Sequence, residues 1–168
     1  GNILESSIES DNFGTGLQIS ADGNSIFISS STHVYVYTYN SSNNTWEQKG
    51  NIISSTGANI FAASDDLNTL ALPIGSKQVH TYNTIQVYTY NTNNNSWDVK
   101  GIALKGNYMR VSMSSDGNVL AIGDITDDTN GTDYGQVRVY EFASGKWVQK
   151  GLFINGQNTY FGWNLKLS

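Results

Sequence analysis

The chain has 168 residues, of which 38% are hydrophobic, 12% aromatic and only 14% charged, with a net charge of −5 and a pI near 4.7. That length supports one domain with a sizeable core, and the acidic balance excludes a nucleic-acid partner, which requires a Lys/Arg-rich face. No apolar run approaches the ~20 residues of a membrane span, and no basic amphipathic helix is present, so membrane insertion is not expected. The absence of cysteine leaves the compartment open. The chain opens on Gly1 rather than Met, as a processed or excerpted segment does.

In chain order, the first ten residues read as the connection that follows an outer strand. Leu17-Gln18-Ile19-Ser20 is a short alternating strand, and Asp22-Gly23-Asn24 is the tight turn after it. Ile26-Phe27-Ile28 reads as a strand buried on both faces. Val34-Tyr35-Val36-Tyr37-Thr38-Tyr39 is the third strand, an Asn-rich hairpin follows, and Trp46 marks the fourth.

The same order then repeats. Phe61-Ala62-Ala63-Ser64 and Val111-Ser112-Met113-Ser114 match the first strand, with Asp66 and Asp116 in the turns. Leu70-Ala71-Leu72 and Leu120-Ala121-Ile122 match the second strand. The third strand recurs as Ile85–Tyr90 and Val137–Phe142, so that Tyr37, Tyr88 and Tyr140 fall in register. Trp46, Trp97 and Trp147 are each followed four residues later by glycine, at Gly50, Gly101 and Gly151, with Lys49, Lys100 and Lys150 just before. Leu165-Lys166-Leu167-Ser168 begins the cycle once more.

Four antiparallel strands in each unit of about 50 residues is the pattern of a propeller blade. The expected fold is therefore an all-β β-propeller forming a single partial ring over 1–168. Its approximate blades are 11–53, 57–104 and 107–154, with 158–168 starting the next. The recurrent Trp, Tyr and Gly positions are read as packing between blades, because they recur at the same strand positions. The column of Tyr35, Gln86 and Arg138 changes chemistry from unit to unit and is expected to face solvent.

Phe13-Gly14-Thr15-Gly16-Leu17, followed by Asp22-Gly23, and Phe161-Gly162-Trp163-Asn164-Leu165 resemble FG-GAP repeats. The third unit resembles them too, through Ser115-Asp116-Gly117-Asn118-Val119-Leu120 and Gly135-Gln136-Val137. Gly57-Ala58 and Asn107-Tyr108 replace the Phe-Gly pair in the middle units. The resemblance implies an integrin-α-like propeller of about seven blades, extracellular or surface-exposed, that binds a protein partner or self-assembles.

It also implies that a loop can hold calcium. The candidate is Asp124, Asp127, Asp128, Asn130 and Asp133, although Thr126 stands where a first carboxylate is needed. No other cofactor is expected. His33 and His80 have no His, Cys or carboxylate partner at a ligand spacing, so zinc binding and general-base catalysis are not expected. With no nucleophile elbow and no phosphate loop either, catalysis is not expected. The resemblance, with the acidic charge and polar loops, implies a non-catalytic extracellular or surface protein-interaction or adhesion module. Two alternatives stand beside it: a structural component of a virion, cell wall or appendage, and a carbohydrate-binding propeller using Tyr108, Tyr134 and Tyr160. Asn40, Asn43, Asn94 and Asn130 begin glycosylation sequons, which chance alone produces in so Asn-rich a chain.

Overall fold

The computed structural model describes residues 1–168 other than 10, 57–59, 75–81, 130 and 158–159. Among the described residues there is no α-helix. The first blade comprises β1 (Gly16–Ile19), β2 (Ser25–Ser29), β3 (His33–Asn40), β4 (Thr45–Gln48) and β5 (Ile53–Ser54). The second comprises β6 (Ala62–Ala63), β7 (Thr69–Pro73), β8 (Tyr82–Asn91), β9 (Ser96–Val99) and β10 (Leu104–Tyr108). The third comprises β11 (Arg110–Met113), β12 (Val119–Asp124), β13 (Gln136–Ala143), β14 (Lys146–Gln149) and β15 (Ile154–Asn155). Each is an antiparallel meander of four strands, the fourth in two pieces. The chain is part of a β-propeller ring.

The turn between the first two strands of a blade is built by a side chain rather than by backbone alone. Ser20 Oγ donates to Asp22 Oδ1 at 2.6 Å, and the same oxygen accepts from Asn24 N at 3.0 Å. Ser64, Asp66 and Asn68 repeat this geometry, as do Ser114, Asp116 and Asn118. A carboxylate that accepts several hydrogen bonds is stabilised in its charged form, and these bonds lower the Asp22 pKa to about 2. The turns also tie neighbouring blades, because Ala21 N donates to Asp65 O and Asp65 N to Ser115 O.

The two pieces of the outer strand are separated by a bulge at Lys-Gly. In the first blade Tyr37 pairs with Gln48 but Val34 with Ile53, so three steps along β3 oppose five along the outer strand. Tyr88–Val99 with Ile85–Leu104, and Tyr140–Gln149 with Val137–Ile154, show the same shift. Gly50, Gly101 and Gly151 adopt φ of 75°, 75° and 78°, a region open to glycine at little cost.

The core lies between blades. Phe27, Val34, Val36 and Ile53 of the first blade meet Leu67, Leu70, Leu72 and Trp97 of the second. Ala71, Ile85 and Val87 of the second meet Met113, Leu120 and Ile122 of the third. Burying one such Leu or Ile is worth about 2 kcal/mol, which no blade gains by itself. Trp97 and Trp147 place their indole N–H on the carbonyls of Lys49 and Lys100, at 3.1 and 2.9 Å. The lysine ammonium groups reach forward in turn, Lys49 to Asn68 Oδ1 at 2.5 Å and Lys100 to Asn118 Oδ1 at 2.9 Å.

The column expected to face solvent does not. Tyr35 and Gln86 are 2% and 6% exposed, and Arg138 is only a quarter exposed at its side chain. Every second residue of the third strand points at the face turned toward the preceding blade, where each polar head finds a local partner. Gln86 Nε2 donates to Val87 O and Gly101 O, and Arg138 Nε donates to Gln136 Oε1. The chemistry varies because the partners differ between blades.

Candidate functional site

The loops between second and third strands and the connections between blades emerge at one end of the sheets. This follows from the register, in which Gly16 pairs with Ser29 and His33 with Ser54. The Asp turns and Asn-rich hairpins occupy the other end. At the first end of blade one, Asp11, Thr32, His33 and Tyr35 come together.

Asp11 has a side chain only 1% exposed, whereas that of His33 is 25% exposed. Thr32 Oγ1 donates to Asp11 Oδ1 at 2.6 Å and lies 2.8 Å from His33 Nδ1. Tyr35 OH donates to Asp11 Oδ2 at 3.1 Å and lies 3.0 Å from Ser6 Oγ. His33 Nδ1 is also 3.5 Å from Asp11 Oδ2. Burial pushes the Asp11 carboxyl up, but hydrogen bonds from Ser30, Thr32 and Tyr35, together with nearby His33, outweigh it and hold the pKa below the usual range. With the Thr32 hydroxyl donating to the carboxylate, its oxygen accepts from His33 Nδ1–H. That tautomer leaves a lone pair on Nε2.

A cavity of about 670 Å³ opens beside this cluster, lined among others by Ser31, Thr32, His33, Ser54, Ser55 and Ile74. Several of the residues in its described wall carry hydroxyls, among them Ser31, Thr32, Ser54 and Ser55. The expectation that His33 lacks a carboxylate partner is thereby corrected. Asp11 lies 22 positions away in sequence, and the fold brings it within reach, which no local spacing rule detects. His80 lies outside the described residues.

The carboxylates of the acidic loop are held by short-range hydrogen bonds. Asp124 Oδ1 accepts from Thr126 N and Thr126 Oγ1, at 3.1 and 2.8 Å. Asp127 Oδ1 accepts from Thr129 N, and Asp128 Oδ1 from Asp133 N. Asp127 also faces Arg138, with 3.9 Å between Oδ2 and Nη2. Burial raises the Asp124 pKa, and Asp127 adds to it; the Thr126 bonds and Arg138 oppose the shift. Asn130 lies outside the described residues. Among the described residues, no three His, Asp or Glu side chains gather as a metal site.

Of the tyrosines expected as sugar platforms, Tyr108 is 1% exposed, packed between blades two and three, with its hydroxyl on Lys105 O. Tyr160 is 56% exposed and meets Trp163 edge to face at 6.2 Å. It borders a second cavity, of about 610 Å³, with Met109, Ile125, Thr126, Asp133 and Trp163.

The family model described as TrAA12-like matches residues 3–152. No curated protein matches the chain. Among solved structures, a Bacteroides fragilis protein provisionally titled a 6-phosphogluconolactonase superposes with a TM-score of 0.57 at 12% identity, covering 86% of this chain and 40% of that one. A Bacteroides uniformis protein with the same provisional title gives 0.56 at 16% identity, covering 83% and 40%. The periplasmic gluconolactonase of Pseudomonas aeruginosa gives 0.51 at 15% identity, covering 88% and 39%. The chain therefore spans about 40% of the length of these propellers, and at such identities the likeness speaks to the fold.

Two expectations are overturned here. The FG-GAP resemblance gives way to the TrAA12-like match. Its Asp-Gly turn is a device any tightly turned blade can use, and the Phe-Gly pair was present only in the outer units. The adhesion reading leaned on that resemblance, the structural alternative on the incomplete ring, and the sugar-binding alternative on Tyr108, Tyr134 and Tyr160. The exclusion of catalysis leaned on absent motifs and unpartnered histidines. Propellers named as lactonases share the fold, and His33 has a carboxylate partner through Thr32.

Proposed function

We propose, from the premise that this chain belongs to the TrAA12-like family, that it forms part of a propeller hydrolase that opens sugar-derived lactones. The observation that carries the reading is the Asp11–Thr32–His33 relay, whose Thr32 and His33 line a cavity that also holds Ser31, Ser54 and Ser55. The lactonase names of propellers with the same fold support the substrate class. The periplasmic protein among them supports a location outside the cytoplasm.

In this reading His33 Nε2 accepts a proton from a water as its oxygen attacks the lactone carbonyl. The Asp11 carboxylate, acting through the Thr32 hydroxyl, stabilises the imidazolium that results. Collapse of the tetrahedral adduct breaks the ring C–O bond, and His33 returns the proton to the departing alkoxide. The product is the open hydroxy acid, with one water consumed.

The test is acid release from δ-gluconolactone above the spontaneous rate. His33→Gln is expected to lower the enzymatic rate by about 10²-fold or more while leaving the far-ultraviolet circular dichroism unchanged. No lactone opening by the protein, or a rate indifferent to that substitution, overturns the assignment.

A further inference from the structure

We infer that the outer half of the third blade's far face is a docking surface for a fourth repeat of the same kind. The inference is independent of the catalytic reading. It rests on three ties that join each described pair of neighbouring blades.

The first tie is the indole of the later blade, donating to the lysine carbonyl of the earlier one and lying against its bulge glycine. A Cβ built on Gly50 would stand 2.6 Å from Trp97 Nε1, and one on Gly101 would stand 3.0 Å from Trp147 Cδ1. The second is the lysine ammonium on the next blade's turn asparagine, at Lys49–Asn68 and Lys100–Asn118. The ammonium groups of Lys49 and Lys100 also lie over the Tyr90 and Phe142 rings of the next blade, at 4.8 and 4.9 Å. The third is the turn-to-turn backbone bond, Ala21 N to Asp65 O and Asp65 N to Ser115 O.

The third blade carries the near half of all three, unmatched. Nothing lies within 4 Å of a Cβ placed on Gly151, although its φ of +78° matches that of Gly50 and Gly101. Lys150 Nζ turns back to Glu141 on its own blade, at 3.3 Å between exposed side chains. Ser115 N meets no partner among the described residues. Ile154, equivalent to the 5%-exposed Ile53, is 50% exposed.

The inner half of the same face is already covered, which identifies the occupant. Gly162 lies against Gly123 and Val137, Leu165 reaches Gly123, and Leu167 N donates to Ser112 Oγ at 2.9 Å. Phe161–Ser168 therefore lies where a fourth blade's first strand belongs. The rest of that repeat would bring a turn asparagine to Lys150 and a tryptophan to Gly151.

The test extends the full chain with a copy of its own residues 21–55, joined after Ser168, so that the copied Trp46 and Asn24 follow in phase. Docking predicts a monomer in which the indole N–H of the copied Trp46 is protected from hydrogen exchange. Gly151→Asn, which tolerates the positive φ, is expected to lower the melting temperature of the extended protein by about 4 °C and leave the 168-residue chain unchanged. Lys150→Met is expected to show the same contrast.

A copied repeat whose amides exchange at unfolded rates overturns the proposal. Equal effects of Gly151→Asn in both proteins do so as well. Dimerisation of the 168-residue chain that Gly151→Asn abolishes also overturns it, assigning the face to a second copy.

Discussion

The indole of Trp97 donates its hydrogen bond to the carbonyl of Lys49, a residue on the preceding blade and 48 positions earlier. Replacing the ring by Phe keeps the apolar body and removes the donor, leaving Lys49 O without its partner. Trp97→Phe and Trp147→Phe should each cost about 1 kcal/mol by urea unfolding, and Trp97→Ala about 3–5 kcal/mol. Equal stability of Trp97→Phe and the parent would mean the bond contributes nothing.

The turn aspartates should make the fold sensitive to acid. Asp22 has its pKa lowered to about 2 by the bonds from Ser20 and Asn24. Asp66 is also lowered: burial raises it, but Ser64, Asn68 and Lys49 outweigh that effect. A depressed carboxyl stabilises the fold fully above its unfolded value near 4, and that contribution is lost as pH falls through the folded value. The urea midpoint should hold steady down to about pH 4 and fall toward pH 2. Asp66→Asn should lower the midpoint at pH 7 and flatten the acid slope; an unchanged slope counts against the turn.

The relay predicts an ordered set of activities at position 32. Thr32→Val removes the hydroxyl that joins Asp11 to His33 and should reduce lactone opening by about 10-fold or more, mainly in kcat. Thr32→Ser keeps the hydroxyl and should restore most of the rate. Full activity in Thr32→Val with loss of activity in Thr32→Ser would show that the methyl rather than the hydroxyl matters.

Asp124 behaves oppositely to the turn aspartates. Burial raises its folded pKa above the unfolded value, so its favourable contribution is present at low pH and lost as pH rises through the folded value. Asn at this position can still accept from Thr126 without carrying the charge. Asp124→Asn should therefore gain stability relative to the parent between pH 4 and pH 8 in thermal melts. A gap that shrinks with rising pH would contradict the assignment.

The architecture was legible because each blade repeats the same local devices. The Ser-x-Asp-x-Asn turn, the alternating third strand and the Trp with its Lys-Gly successor all lie within one unit of sequence, so sliding the chain on itself finds them. The bulge was hidden inside that pattern, since two extra residues per outer strand leave the period intact and only the pairing register exposes them. The site was largely illegible. Asp11 sits in a connection with no periodicity, and only folding brings its carboxylate to Thr32 and Tyr35. Column variation at Tyr35, Gln86 and Arg138 looked like exposure because, in one sequence, a buried position with blade-specific partners varies just as a solvated one does.

The bulge at Lys49–Ile52 and its two counterparts has one more consequence. The fourth strand is the rim of each blade, and a straight run of backbone donors and acceptors there would template pairing with another molecule. Breaking that run into pieces such as Thr45–Gln48 and Ile53–Ser54 leaves no stretch of rim longer than a few residues. The glycine that seats the neighbouring tryptophan thus also protects the rim against edge-to-edge aggregation.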